Sequence, residues 1–596
     1  MNYLFLALIF ISTLAFAQPS PKREFRAAWV ATVGNIDWPS SKTLTPEQQR
    51  AEFVNILNQH KQAGLNAVIV QVRSVADAIY PSPFEPWAEV LTGRQGRAPQ
   101  PQYDPLQFMI GECRKRGLEF HAWFNPYRAV SNIQTATLDP NHVVVKHPDW
   151  LLAQGNLRIL NPGLPEVRAY VTGVVMDVVR RYDIDGVHFD DYFYPYPETG
   201  KAFNDDSTYA LYPRGIAGRA DWRRDNVDLF VKMVSDSIRA AKPWVKFGIS
   251  PFGIWQNKSA SQPLGSDSRG LESYSAIYAD SRKWFGQNWV DYIAPQLYWH
   301  IGNAAADFAK LLPWWSALNP GRHLYIGHGL YRVNNDADAA WKNPAQIPNQ
   351  MRLLRQTANV QGSIFYNTNS LNKNPLGVRD SLRTTLYNRP ALLPPMPWKD
   401  ATPPPAPLNL IATVRNNTAE LHWNRPQAET GELGKIRQYA IYRAENGQPD
   451  LGTILALTAT DTLDFADTGL KPGVSYTYVV TALDRLHNES PPSNALATAI
   501  VTGVPAAEIA RTELLPVVPN PFRTSTRITY RLAEAGPVTL AVYDALGRMA
   551  GTLVQETQPA GEYSVYFDAG TLPDGVYIAT LVTEKHRLMQ RIILQR

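Results

Sequence analysis

Between Arg26 and Leu371 the sequence switches eight times between a strand-like and a helix-like hydrophobic pattern, and this repetition constrains the fold more than any other feature. The strand-like runs are Arg26–Val33, Asn66–Arg73, Glu119–Arg128, Gly186–Tyr194, Lys246–Trp255, Val290–Trp299, His323–Arg332 and Gly362–Leu371. The helical stretches carry their own punctuation. Thr45-Pro46-Glu47-Gln48 reads as a capping box with proline in the first turn, and Gly64 closes that helix. Asp104-Pro105 opens a second helix that Gly117 ends; Asp221–Lys242, Tyr274–Gly286 and Ile347–Asn359 have helical periodicity. Alternation on this scale predicts an α/β fold, a closed (β/α)8 TIM-like barrel spanning residues 22–389. An open doubly wound sheet is the competing architecture, but no glycine-rich phosphate loop follows the first strand.

Composition changes at Arg389–Pro407, where eight prolines crowd together. Residues 390–407 therefore read as a stiff, polyproline-like linker. Beyond it nearly everything has strand character, in two all-β sandwich domains over residues 408–503 and 512–596. At the other end, Leu4–Ala17 is an unbroken run of apolar and small residues closing on Ala15-Phe16-Ala17. It predicts a signal peptide over residues 1–17, too short for the ~20 residues of a spanning helix. The processed chain is then exported, through the periplasm to the outer surface or medium, with no membrane span. A single cysteine, Cys113, rules out an intrachain disulfide framework and a cysteine-based zinc site. The net charge of +5 comes without a basic stripe, which argues against nucleic acid. The 16 Trp and 28 Tyr are concentrated before residue 400, and aromatic faces serve both sugar stacking and large cores.

In a parallel barrel the reactive groups gather where strands end at the C-terminal face. Those ends carry Gln71 and Arg73; Trp123, Asn125, Tyr127 and Arg128; His188, Asp190, Asp191 and Tyr192; Ser250 and Trp255. The later strands add Gln296, Tyr298 and Trp299, then His328 and Tyr331, then Asn367 and Asn369. The fourth strand is the most informative. Val187 and Phe189 alternate with His188 and Asp190, so Asp190 points into the barrel mouth if Phe189 packs outward. A carboxylate there suits the oxocarbenium-like transition state of glycoside hydrolysis; Asp190 and Asp191 could instead cap the following turn. A second carboxyl must come from a loop. Glu272, Asp267 and Asp37 are candidates ahead of Glu85, Asp205 and Asp206, and Asp291 lies at the wrong end of its strand.

The segment Asp185–Tyr192 is similar to the acidic strand motif of family 18 chitinases. His188 replaces one of its acids, and Tyr192 stands where the catalytic glutamate would be. More extensively, Glu24–Pro39, Phe189–Tyr196, Ile249–Trp255 and Asp291–Trp299 resemble the glycosyl hydrolase-like 10 family. That resemblance implies hydrolysis of peptidoglycan glycan strands denuded of stem peptides, without a metal or other cofactor, with catalysis at Asp190 and Asp191. Glu272 is the candidate third acid. Arg73, Asn125, Arg128, His188, Tyr192, Trp255, Gln296, Tyr298, Trp299, His328 and Asn367 are the candidate substrate contacts. Trp423, Tyr439, Tyr442 and the turn before Tyr476 resemble a fibronectin type III domain. Pro519-Asn520-Pro521-Phe522, Asp544–Arg548 and Leu572–Tyr577 resemble the C-terminal sorting domain of the type IX secretion system, whose machinery is then a partner alongside the glycan. A catalytically silent, glycan-binding surface protein is the alternative reading.

Overall fold

The computed structural model describes residues 20–415, 417–426, 431–471, 473–499 and 511–596; the expected signal peptide lies outside them. The barrel strands are β1 (Phe25–Val30), β2 (Ala67–Arg73), β3 (Glu119–Phe124), β4 (Gly186–Phe189), β5 (Lys246–Ile249), β6 (Tyr292–Ile293), β7 (His323–Gly329) and β8 (Gly362–Tyr366). All pair in parallel with their sequence neighbours, and β1 closes the barrel on β8. Helices α1 (Pro46–Gln62), α2 (Pro105–Lys115), α3 (Pro165–Arg181), α4 (Arg219–Ala241), α5 (Ser281–Gly286), α6 (Phe308–Ala317) and α7 (Gln346–Gln356) lie between successive strands; α8 (Thr368–Lys373) follows β8. Thr45 caps α1 reciprocally with Gln48, and Asp104 caps α2 ahead of Pro105, the local chemistry that starts a helix there.

Three elements differ from expectation. β6 is two residues long because the chain reaches Pro295, which has no N–H to give the ladder. The helical run expected at Tyr274–Gly286 breaks at Tyr278, whose φ is 54°, and Asp280 caps a fresh helix. Between β3 and α3 the chain makes a small antiparallel sheet from Arg128–Val130, Leu151–Gln154 and Leu157–Leu160.

Strand alternation divides the side chains into two layers. Val68, Val70, Phe120, Val187 and Phe189 face the helices, while the inner set includes the small Ala27 and Ala67 and the aromatic Trp29, Tyr292 and Tyr325. The large rings fit because glycines face them. A methyl on Gly248 would stand 2.0 Å from the Tyr292 ring, and one on Gly186 would stand 2.6 Å from His121.

A hydrogen-bonded column fills the barrel axis. Trp29 Nε1 donates to His188 Nε2 (3.1 Å); His188 Nδ1 and His121 Nδ1 flank the Tyr292 hydroxyl at 2.9 and 2.8 Å; and His121 Nε2 meets Glu119 (3.1 Å). Because Trp29 can only donate, His188 Nε2 accepts there, which leaves its Nδ1 to meet the Tyr292 hydroxyl. Burial, and then the neighbouring His121, hold His188 well below the usual imidazole range.

The polyproline segment does not stand away from the barrel. Ala391, Leu392, Leu393 and Met396 are buried, Leu392 exchanges backbone hydrogen bonds with Lys22 and Glu24, and Trp398 and Lys399 bind Asp291 at 3.0 and 2.9 Å. It passes beneath the N-terminal end of the barrel, with Leu392 packed among Tyr442, Val479 and Leu483 of the next domain. That domain pairs a three-stranded with a four-stranded antiparallel sheet, as does the last one. Trp423, Tyr439 and Tyr476 lie in the core of the first sandwich, and Phe522, Phe567 and Tyr577 in that of the second.

Candidate active site

At the C-terminal mouth of the barrel lies a cavity of about 300 Å³, within the range of small-ligand sites. Asp190 and Asp191 are its carboxylates. The ladder at β4 ends with Ser250 N–H donating to Phe189 (2.8 Å). Past that point the chain turns, with Phe193 N–H bonding back to Asp191 O at 3.0 Å. Strict alternation would send the two side chains to opposite faces; the turn lets both reach the cavity.

Each carboxylate is held by named donors. Asp190 Oδ2 accepts from Asn125 Nδ2 and from Trp123 Nε1 (3.2 Å), and its Oδ1 accepts from Tyr192 N–H (3.3 Å). Asp191 accepts from the Tyr196 hydroxyl and from Gln296 Nε2 (3.1 Å). Behind Asn125 stands Gln71, whose Nε2 donates to Asn125 and whose Oε1 accepts from Thr32 and Val33 N–H (3.0 and 2.9 Å). A relay across β1 to β4 thus fixes Asp190. Burial, followed by the charge of Asp191, pushes the Asp190 carboxyl up to about 7. Burial also raises Asp191, opposed by its bonds to Tyr196 and Gln296. Burial and their mutual charge thus oppose two full negative charges in the pair and favour its retaining a proton.

Aromatic rings form the rest of the wall. Tyr192, Tyr196, Phe252 and Trp299 meet edge to face along one side. Tyr298, Tyr331, Tyr366 and Trp29 meet along the other. Trp29 obeys the same alternation that points Asp190 inward, so parity on β1 was the signal for it. Tyr196, Phe252 and Arg332 also line the cavity, from positions past strand ends, where alternation gives no guidance.

Of the candidate substrate contacts, Tyr192, Gln296, Tyr298 and Trp299 line this cavity. Arg128 lines an adjoining chamber of about 280 Å³ that shares Tyr192 and Tyr196 with it. The others do not line the mouth cavity, and their partners show where each is engaged. Arg73 is fully buried, forked onto Glu85 and donating to the carbonyls of Asn125 and Pro126, so both charges are spent on structure. Asn125 sits behind Asp190. His188 lies below the cavity in the axial column. His328 falls on the outward parity of β7, bonded to Gln350 of α7 and to Ser363. Trp255 bonds Asp280 and stacks near Trp314, and Asn367 caps α8.

The loop acids fare similarly. Glu272 accepts from Asn257 N–H and Nδ2 (2.9 and 2.8 Å) and from Ser275, and it does not line the mouth cavity. Asp37, pushed up to about 7 by burial, ties Ala31 N–H to Asn369 N–H. Asp205 is buried between Arg219 and Arg223, and exposed Asp267 pairs with Lys310. Among the described residues no group of His, Cys, Asp and Glu could hold a metal ion, and no helix is long and apolar enough to cross a membrane.

The mouth of this parallel barrel thus sets a carboxylate pair inside a collar of aromatic rings. The comparisons go further: residues 24–343 match the family model described as Glycosyl hydrolase-like 10, and the chain belongs to that family. Residues 516–595 match the Secretion system C-terminal sorting domain. The chain is 45% identical over 496 residues to "Glycosyl hydrolase YngK" of Bacillus subtilis (strain 168), covering 82% of this chain and 96% of that one. It is 39% identical over 374 residues to "Glycosyl hydrolase DigH" of Escherichia coli (strain K12), covering 59% and 84%. Among solved structures it is similar to "Chitinase ChiA74 from Bacillus thuringiensis", with a TM-score of 0.35 and 12% identity, covering 92% and 98%. The sorting domain points to export and the cell surface.

Proposed function

We propose that the protein is an exported glycosidase that hydrolyses peptidoglycan glycan strands freed of stem peptides, or a related 2-acetamido glycan, at Asp190 and Asp191. The observation that carries this reading is the pair itself: two carboxyls on consecutive residues, one with its pKa at about 7, in an aromatic-walled cavity. Conventional glycosidases place two carboxyls on either side of the scissile bond, about 5–9.5 Å apart. Here both come from one turn, and the facing wall is tyrosine and tryptophan. An internal nucleophile resolves this. Protonated Asp190 gives its proton to the leaving glycosidic oxygen as the C1–O bond breaks. The carbonyl oxygen of the substrate's 2-acetamido group bonds to C1 from the other face. Asp191 takes up the charge developing on the amide N–H. Water then opens the cyclic intermediate and returns a proton to Asp190. We further assign the domain after the barrel as fibronectin type III-like, and the sorting domain as the address read by the type IX secretion machinery.

The test is digestion of purified peptidoglycan by the full processed chain, with and without prior amidase treatment, followed by mass spectrometry of the products. Disaccharides that appear only after amidase treatment support the reading. Among the described residues no other carboxylate lines the cavity, which favours a second reading, a silent glycan-binding module. Strands that bind but are never cut, by the parent protein as by Asp190→Asn, would establish that one instead.

A further inference from the structure

We propose that Arg128 is a specificity residue that reads a free carboxylate on the sugar neighbouring the scissile bond. Arg128 follows β3 and opens the small antiparallel sheet, its backbone paired with Ile159. Its guanidinium makes no ion pair among the described residues. It lies over the Tyr192 ring, 3.9 Å from the centroid. An arginine stacked in this way keeps its full charge and leaves its planar fork of donors available to a carboxylate. Arg73 shows the contrast: it is the other arginine near this strand end, and Glu85 and two carbonyls consume it.

The position is specific as well: among the described residues no carboxylate forms an ion pair with Arg128, whose side-chain partner is Tyr192. The chamber that Arg128 lines shares Tyr192 and Tyr196 with the mouth cavity, so a sugar in it is one ring away from the carboxylate pair. Among the described residues Arg128 is the one formally charged residue lining that chamber; Ser131 and Gln154 are among its polar neighbours. Ser131 in turn borders a groove of about 640 Å³ between the loops that follow β1, β2 and β3. The cleft therefore continues past the reacting sugar along a chain, with a fixed cation at its first step. Asp190 and Asp191 lie within reach of that cation's field. An anionic substituent is thus directed to Arg128 and kept from the acids that must act on the glycosidic oxygen. The inference rests on the glycan reading above and deepens it. Removing a stem peptide from a lactyl-bearing sugar unmasks such a carboxylate, whereas the intact amide has no charge for Arg128 to meet.

The experiment uses the full processed chain carrying Asp190→Asn, so that ligands are held and not cut, with calorimetric titration of two probes. One is denuded glycan strands; the other is the same strands with their carboxylates converted to primary amides. Amidation is expected to weaken binding roughly tenfold to hundredfold, the range of a charge-assisted contact. Adding Arg128→Gln should weaken the acid strands by the same factor and leave the amide strands unaffected, while Arg128→Lys should recover part of the loss. Acid and amide strands binding alike would overturn the proposal without any reliance on the folding of a variant. An Arg128→Gln loss of equal size on both probes would also overturn it, making Arg128 part of the wall only. Failure of both probes to bind would overturn the glycan reading itself, and this inference with it.

Discussion

Asp190 concentrates the tension between chemistry and stability. Its burial disfavours the charged form, so the folded protein binds a proton there that the unfolded chain releases at ordinary carboxylate pH. A raised carboxyl pKa makes folding less favourable as pH climbs from the unfolded value toward about 7. Asp190→Asn should accordingly raise the melting temperature at pH 8 and change it little at pH 4, the difference being on the order of a few kcal/mol. The same variant should lose about 10²–10⁴-fold in kcat on natural glycan, the usual worth of a positioned acid. It should lose much less on an aryl glycoside whose leaving group needs no proton, which steady-state rates on the two substrates will show. In the parent protein kcat/KM should fall as pH rises through about 7, because only the protonated acid can act.

At the scale of elements, the site depends on four strands agreeing in register. Thr32 and Val33 after β1 hold Gln71 of β2, Gln71 holds Asn125 after β3, and Asn125 holds Asp190 after β4. None of these groups except Asp190 needs to touch substrate. Gln71→Met keeps the volume and removes the relay, so kcat should drop by about tenfold to hundredfold through misplacement while KM stays near its parent value. A parallel rise in KM would show instead that the cavity itself had collapsed. The alternation that identifies Trp29 and Asp190 as inward works only along regular strand. Where the chain leaves the ladder, at Asp191, Tyr196 and Phe252, orientation comes from turns and tertiary bonds, and sequence period carries no record of it.

For the whole molecule, the base of the barrel is completed by the proline-rich segment and the first sandwich domain. Glu119 at the foot of the axial column meets Lys246 and, from that domain, His487 at 2.7 Å. Burial alone would push Glu119 up, but Lys246, His121 and His487 hold it well below the usual carboxylate range. Across the same joint Arg437 and Arg485 reach Asp183, and Trp398 and Lys399 close over Asp291. A chain cut after residue 389 leaves buried charges at Glu119 and Asp291 short of partners, at roughly 3–5 kcal/mol for a broken buried pair. It should melt well below a chain cut after residue 499, by scanning calorimetry. The sign at this joint is opposite to that at Asp190. A depressed carboxylate stabilises above its unfolded pKa, and that stability is lost on acidification, so the two-domain chain should lose its advantage over the truncated one at low pH.

The barrel was legible because its evidence is periodic and local: eight alternations, caps at Thr45 and Asp104, and a composition break at the prolines all point the same way. Asp190 was legible for the same reason, lying one step past a strand whose parity is unambiguous. What the tertiary structure alone decided was the fate of each charge. Arg73 ends β2, Arg128 follows the adjacent β3, and the two look alike as letters, yet one is sealed against Glu85 and the other faces a chamber over Tyr192. Glu272 and Asp37 look like candidate acids until their partners, far along the chain or in a tight loop, are seen to claim them. Period follows from the geometry of strand and helix, which each stretch of chain carries within itself; whether a charge is free or spent depends on which distant residue folds against it.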